Sequence, residues 1–312
     1  PFILDVFMKK KKCCFKNSFF NEFEQVYLKL PKGEEIHFGA RAIMESMAYL
    51  IEKEIAPGGT SVNEYPYKAA ESILHTIYPE LTTDTLNIIA LCDMSLQFSN
   101  PAKIFFQTIQ EFKLRNYLPQ TPEEIYDYFY KIPCIHMGKK STLIQGLVEI
   151  GITTCERLKT YLSSSEFKSF HEMLNQMIGI GLNYRINNRY FILDIVRNGN
   201  ALYNVPLLNI LNELGSPVIK DVTNTYYMMP SYKSLNNNLQ FLVAVEQIYK
   251  LFTGDLDGCG MYEWCEKSIK LGTKIDDRCI FSPWERCQDK ILCPYAVLWK
   301  HWNLSNYKPE FK

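Results

Sequence analysis

The chain has 312 residues, of which 47% are hydrophobic and 22% charged, as in ordinary globular proteins. Lysine plus arginine equals aspartate plus glutamate at 34 each, so only local clustering could attract nucleic acid. The longest apolar stretches are far shorter than the roughly 20 residues that a membrane-spanning helix needs. These features argue against disorder and against a membrane protein, and we expect an intracellular monomer, cytoplasmic or, in a eukaryote, nuclear.

In chain order, residues 1–39 carry a lysine run at 9–12 and are predicted to form a basic, helical extension. Residues 40–255 follow as one helical domain, because apolar residues recur there at three- and four-residue steps. Thr121, Pro122 and Glu123 illustrate a well-marked helix start, with an N-cap, a proline at the first helical position and an early acid. The sequence therefore predicts an all-α fold.

Two glycines one residue apart, Gly179 and Gly181, follow an amphipathic stretch that begins near residue 169. Such a pair permits a tight hairpin between two helices with outward-facing amides, which suit a phosphate. A simple turn between helices is the alternative interpretation.

Gln97 ends the segment Leu-Cys-Asp-Met-Ser-Leu-Gln, and Asn204 begins the segment Asn-Val-Pro-Leu-Leu-Asn-Ile-Leu-Asn-Glu-Leu-Gly, 23 residues after Gly181. Together with the glycine pair, these segments resemble the helix-hairpin-helix DNA glycosylase superfamily, which includes endonuclease III and the adenine-mismatch glycosylases. The resemblance covers about residues 40–255 in the family's order and implies a two-lobed helical fold.

The resemblance implies a DNA glycosylase that binds duplex DNA, flips out a damaged or modified base and hydrolyses its N-glycosidic bond without cutting the strand. In that reading Gln97 fills the gap left by the base, and the hairpin region holds the DNA backbone. The hairpin-region residues are Gly179, Ile180, Gly181, Asn183 and Arg185.

The sequence departs from the family pattern at two chemical positions. Asn204 stands where the family has its catalytic aspartate, and Asn183 stands where some members have a lysine. An asparagine can orient a water molecule but cannot take its proton, so we expect a large loss of rate. Asn204 and the nearby carboxylate of Asp194 are the catalytic candidates. A solvated or capping role is the alternative for Asp194, and a non-hydrolytic relative that modifies or merely binds altered bases is the alternative function.

Residues 256–312 form a separate, cysteine-rich segment, because five of the ten cysteines lie there. The spacing of Cys287 and Cys293 resembles the last pair of the iron-sulfur loop of the endonuclease III type. The candidate ligands are Cys265, Cys279, Cys287 and Cys293, for an iron-sulfur cluster or a four-thiolate zinc ion. Buried, reduced cysteines are the alternative.

Overall fold

A computed structural model describes residues 3–12, 22–56, 58, 62–136, 138–214, 219–220, 226–227, 239–253, 258–267 and 275–309. The chain is mainly helical, which confirms the predicted fold class. It divides into two compact units. Unit 1 comprises residues 1–150 and 182–208, and unit 2 comprises residues 151–181 and 209–312. These ranges differ from the predicted boundaries near residues 40 and 255.

The first strands are β1 (Asp5–Lys12), β2 (Glu22–Lys29) and β3 (Glu35–Phe38), which form an antiparallel sheet in that order. The helical extension expected at residues 1–39 is therefore wrong for the part of that range that the structure describes, which forms a sheet. Val26 and Leu28 are fully buried two residues apart, which is the strand period. Gly33 supplies the positive φ of 83° for the turn between β2 and β3, where its N–H donates to the carbonyl of Leu30.

The helices and the remaining strands follow in chain order. They are α1 (Ala40–Ile55), α2 (Ala69–Ile77), α3 (Thr85–Ser95), α4 (Pro101–Leu114), α5 (Pro122–Lys131), β4 (Cys134–His136), β5 (Lys139–Ser141), α6 (Leu143–Tyr161), α7 (Lys168–Asn187), α8 (Phe191–Arg197), α9 (Val205–Leu214), β6 (Ile219–Lys220), β7 (Tyr226–Tyr227), α10 (Leu239–Thr253), α11 (Tyr262–Lys267), α12 (Arg278–Phe281) and α13 (Pro294–His301). Short 3-10 helices lie at Pro79–Thr83, Ser165–Phe167, Ala201–Tyr203 and Pro283–Gln288.

Helix α3 lies at the centre of unit 1, where it packs against α1, α4, α5 and α8. Every residue from 87 to 95 is buried, so the helix is enclosed on all sides. Asp84 caps its start by accepting a hydrogen bond from the backbone N–H of Leu86 at 2.8 Å. Two buried polar residues of this helix, Asn87 and Asp93, must therefore find partners inside the protein.

The core of unit 2 is aromatic. Phe167, from the 3-10 helix that precedes α7, and Phe170 and Met173 of α7 pack in one buried cluster. Phe241 of α10 and Trp299 of α13 belong to the same cluster. The rings of Phe167 and Phe241 lie edge to face at 5.2 Å. Within the described residues, no helix of either unit combines the length and the apolar character needed to cross a membrane.

Candidate functional site

The predicted glycine hairpin is wrong. Gly179 and Gly181 lie inside α7, which continues without a break to Asn187, and neither glycine has a positive φ. A glycine permits a turn but does not force one, and the neighbouring residues are compatible with a helix. The amides at 179–181 therefore belong to a helix interior and form no phosphate-binding loop.

Arg185 and Gln97, which the resemblance assigned to DNA binding, meet around a buried carboxylate that sequence reasoning missed. Arg185 donates two hydrogen bonds to Asp93, from Nη1 to Oδ2 at 3.0 Å and from Nη2 to Oδ1 at 2.8 Å. Gln97 Nε2 donates to the Asp93 backbone carbonyl at 2.9 Å, and Tyr126 Oη donates to Asp93 Oδ2 at 2.8 Å. The side chains of both predicted DNA-binding residues are thus committed to the interior of unit 1.

The charges and hydrogen bonds of Asp93, Arg185 and Tyr126 are satisfied by one another inside the protein, as in a structural ion pair. Burial alone would lower the pKa of the Arg185 guanidinium, but the charge and hydrogen bonds of Asp93 outweigh that effect and raise it. Burial, together with the Asp93 charge, raises the pKa of Tyr126 well above its usual range. Both Asp93 oxygens already accept hydrogen bonds, so this carboxylate is poorly placed to take a proton from a water molecule.

Asn204 is fully buried and caps α9. Its Nδ2 donates to the carbonyls of Ile195 at 2.6 Å and Gly199 at 2.9 Å, and its Oδ1 accepts from the N–H of Leu207 at 3.1 Å. Both amide hydrogens are used inside the protein, Oδ1 is engaged by the start of α9, and the side chain is fully buried, so it is poorly placed to position a water molecule for catalysis. The sequence could have indicated the capping role, because Asn204 directly precedes a helix and asparagine is a preferred N-cap residue.

The other predicted residues of this region form hydrogen bonds outside the Asp93 cluster. Asp194 on α8 accepts a hydrogen bond from Asn188 Nδ2 at 2.5 Å. Asn183 is exposed, and its Oδ1 accepts from Asn187 Nδ2 at 3.0 Å, one turn along α7. Asn204, Asp194 and Asn183 therefore each bond to a different partner, and no hydrogen bond joins any two of these three side chains.

A cation-bearing surface lies where α6, α7 and α13 come together in unit 2. His301 Nε2 and the Tyr161 carbonyl oxygen are 2.8 Å apart, which joins the ends of α13 and α6. The ring centroids of Phe167 and His301 are 4.9 Å apart. Phe167 directly precedes α7, so the start of α7 lies near the ends of α13 and α6. We call this surface the basic end of unit 2; its exposed residues are Arg157, Lys159, Tyr161, Lys168 and Lys300.

The four cations of the basic end form no ion pair with any described residue. Exposed acids, Glu156, Glu166 and Glu172, lie in the same segments, so the excess of positive charge is small. Tyr161, the last residue of α6, is 71% exposed and lies in the same helix as Arg157 and Lys159. Cations next to an exposed aromatic ring are the groups that bind a phosphate backbone and stack on bases.

The C-terminal cysteines lie in and against the aromatic core of unit 2: Cys287 is buried in it, and Cys259, Cys265 and Cys293 pack against it. Burial is the main cause that raises the pKa of the Cys259, Cys265 and Cys293 thiols. As the side chains stand, the described residues contain no group of three or more histidine, cysteine, aspartate or glutamate side chains that could hold a metal ion.

No protein-family model, curated protein or solved structure matches the chain.

Proposed function

We propose that this chain is a non-hydrolytic DNA-binding protein that contacts DNA through the basic end of unit 2. The observation that carries the proposal is an exposed Tyr161 at the end of α6, on segments that also carry four exposed cations with no acidic partner among the described residues. Unpaired lysines and arginines can release counterions from DNA, and an exposed tyrosine can stack on any base. Because acids are interleaved, we expect a dissociation constant on the order of 10⁻⁶ M that is sensitive to salt.

The position of Asn204 favours binding over base excision. A glycosylase of the kind implied by the sequence needs a group near the sugar, and the candidate for that group is buried in a helix cap. The alternative function, binding of DNA with normal or altered bases, needs no such group. We therefore propose binding without hydrolysis.

The binding experiment compares two double variants with the same change of charge. Fluorescence anisotropy would follow labelled single-stranded and duplex DNA, with and without an altered base. The double variant Arg157→Glu with Lys159→Glu, which reverses two charges, should weaken DNA binding at least tenfold. The control variant Lys113→Glu with Lys131→Glu reverses two charges on exposed lysines of unit 1 and should change the dissociation constant less than threefold. Equal effects of the two variants, or no binding by the unmodified protein, would overturn the proposal.

Two further measurements sharpen the assignment. If all four cations neutralise phosphates of a duplex, log K should fall with log salt with a slope of about −3.6, at roughly −0.9 per phosphate. Tyr161→Ala should weaken single-strand binding by about tenfold if the ring stacks on a base.

Hydrolysis is tested separately. Duplexes carrying damaged and modified bases would be incubated with the protein and then treated with alkali to reveal abasic sites. We expect none. Abasic sites formed in proportion to protein would contradict the non-hydrolytic proposal and support a glycosylase instead.

A further inference from the structure

Helix α10 of unit 2 has two apolar faces, of which only one is buried. The buried residues recur at steps of three and four along the helix and belong to the aromatic core: Phe241, Ala244, Ile248 and Leu251. The exposed apolar residues recur at the same steps, one position later in the chain: Leu242 (40% exposed), Val245 (36%), Tyr249 (67%) and Phe252 (49%). We call these four exposed residues the outer stripe of α10. A surface helix with one core-facing side normally carries polar residues in such positions.

The spacing of the outer stripe is that of a helix that packs against another helix. Steps of three, four and three residues keep the side chains in line along the helix surface, as in the contact between two paired helices. Single exposed apolar side chains are ordinary on a protein surface, but a contiguous group marks an interaction site. The outer stripe is therefore a candidate surface for a helical partner.

The charges of α10 lie outside the outer stripe and neutralise each other. Glu246 and Lys250 are the only charged residues of the helix, and their side chains form an ion pair at 2.6 Å. The stripe itself has no cation for a phosphate group and no carboxylate for a basic partner. Because the chain has 34 basic and 34 acidic residues, two copies of it also approach each other without net repulsion. These charges favour an apolar partner, and a second copy of the same stripe is one.

Aromatic packing holds one end of the outer stripe in place. The Phe252 ring lies nearly parallel to that of Trp299 of α13, with centroids 5.9 Å apart, and its centroid is 5.3 Å from that of Tyr307. Trp299 is fully buried, so Phe252 is fixed against the core of unit 2 while about half of it remains exposed. A side chain that is already ordered loses little conformational freedom on binding, which favours association.

The side-chain sizes of the outer stripe match those of an inverted copy of itself. Two α10 helices that run in opposite directions about a two-fold axis at the level of Gln247 place Leu242 opposite Phe252 of the second copy. The same axis places Val245 opposite Tyr249 of the second copy. Each contact then joins a smaller aliphatic group to an aromatic ring, which fills space better than parallel pairing of Tyr249 with Tyr249 and Val245 with Val245.

The area of the outer stripe indicates a weak dimer. Since a buried aromatic side chain covers about 150–250 Å², Tyr249 and Phe252 at their observed exposures offer roughly 200 Å² per copy. Leu242 and Val245 add to this area, so two copies would bury on the order of 600 Å² of apolar side chain, below the roughly 1,200 Å² at which stable complexes begin. Association should therefore be reversible and depend on concentration.

We propose that the outer stripe of α10 is a self-association surface through which two copies of this chain form a weak antiparallel dimer. In this dimer Val245 of each copy faces Tyr249 of the other, and the two-fold symmetry closes the assembly at two chains. The proposal replaces the monomer expected from the sequence, and it does not depend on DNA binding.

Sedimentation velocity of the 312-residue protein, at concentrations from about 1 μM to about 1 mM, measures the association. Tyr249→Lys places a charge in the contact and should raise the dimer dissociation constant at least tenfold, with circular dichroism confirming that the fold is kept. Leu114→Lys is the matched control, at an 85% exposed residue of α4, and should change the constant less than threefold. An unmodified protein that stays monomeric over this range, or equal effects of the two variants, would rule out the proposed dimer.

A charge-exchange experiment tests the antiparallel arrangement. Val245→Glu and Tyr249→Lys should each weaken self-association, but an equimolar mixture of the two variants should associate more tightly than either alone, because the introduced acid faces the introduced base. Recovery in a mixture of Val245→Glu with Val245→Lys instead would show parallel pairing and contradict the proposed geometry. Absence of recovery in both mixtures would show that the stripes do not face each other.

A lipid surface is the other occupant that an exposed apolar stripe could take. Vesicles of neutral and of anionic phospholipid would be sedimented with the protein, and we expect the protein to stay in the supernatant. Monomeric protein that sediments with vesicles, and fails to do so in Tyr249→Lys, would assign the outer stripe to membranes and overturn the dimer.

Discussion

Asp93 of α3 and Arg185 of α7 face each other through two nearly parallel hydrogen bonds, although 92 residues separate them in the chain. The Asp93 side chain is 3% exposed and the Arg185 side chain 12% exposed. This buried pair fixes the last turns of α7 against the central helix of unit 1. An arginine that the sequence would assign to DNA is thereby an internal residue.

Removing one partner of this pair should be strongly destabilising. Asp93→Asn leaves the Arg185 guanidinium buried without its counter-charge, so the free energy of unfolding should fall by about 3–5 kcal/mol. Urea unfolding followed by circular dichroism measures the loss. Glu64→Gln removes the exposed pair with Lys68 and should cost under about 1 kcal/mol. Similar losses in the two variants would show that the Asp93 pair is not buried as described.

Because Gly179 and Gly181 lie in a helix, replacing them should stabilise the protein, in contrast to the changes at Asp93. A Cβ added at either glycine meets nothing within 4 Å, so Gly179→Ala and Gly181→Ala should each raise the free energy of unfolding by about 0.5–1 kcal/mol. Gly33→Ala is the matched control, because its φ of 83° disfavours a side chain and the change should destabilise. A loss of stability at 179 or 181 would favour a hairpin after all.

The cap formed by Asn204 predicts how substitutions there behave. Asn204→Ala should cost about 2 kcal/mol, since it removes the cap of α9 and leaves two buried carbonyls without a donor. Asn204→Asp, which restores the residue of the glycosylase family, should destabilise at least as much, because a carboxylate would face the carbonyl oxygens of Ile195 and Gly199. Base excision gained by Asn204→Asp, with stability unchanged, would contradict the capping role.

The buried thiols of Cys259 and Cys265 predict a pH dependence of the stability of the protein. Burial raises the pKa of Cys259 and Cys265 to about 12 in the folded protein. In the unfolded chain a cysteine thiol has its ordinary pKa of about 8.5. Above that pH the unfolded state binds fewer protons than the folded state, so stability should be full below about pH 8.5 and fall as pH rises toward 12.

Urea unfolding of the protein between pH 7.5 and 10.5 checks this slope. Cys259→Ser combined with Cys265→Ser should reduce it, because a hydroxyl does not titrate in this range. Tyrosines with a raised pKa contribute equally to the unmodified protein and to the double variant. The difference between the two pH slopes of the free energy of unfolding therefore reports the two thiols alone. Identical slopes would mean that the two thiols titrate alike in the folded and unfolded states.

Sequence periodicity predicted the helices well where local signals agreed with packing. Pro101 and Pro122 begin α4 and α5 as expected, because a proline at the first turn and a polar residue before it define a helix start. The N-terminal strands were missed because β1 ends in a run of four lysines and because Val26, Tyr27 and Leu28 of β2 are all buried, so neither strand shows a clear two-residue alternation. Local sequence could not decide the state of Gly179, since a distant residue, Asp93, fixes the end of its helix.

The candidate sites were less predictable than the helices. Among the C-terminal cysteines, only the spacing of Cys287 and Cys293 resembled a known pattern, whereas the backbone hydrogen bond from Cys259 to Cys279 joins residues 20 positions apart, which no spacing rule predicts. Asn204 resembled a catalytic position because helix starts and active sites favour the same small polar residues. The basic end of unit 2 brings together residues near 160 and 300, which no linear motif connects.

Each unit is built from two separate stretches of the chain. This arrangement constrains the order in which the units can fold during synthesis. Leu193 and Val196 are part of the buried core of unit 1, and Arg185 neutralises Asp93 inside it. When residue 150 leaves the ribosome, this core still lacks those side chains, and residues 151–181 must be made first. Unit 1 therefore completes its core only after the first segment of unit 2 has emerged, and during that interval α3 has an exposed apolar flank and an unpaired carboxylate.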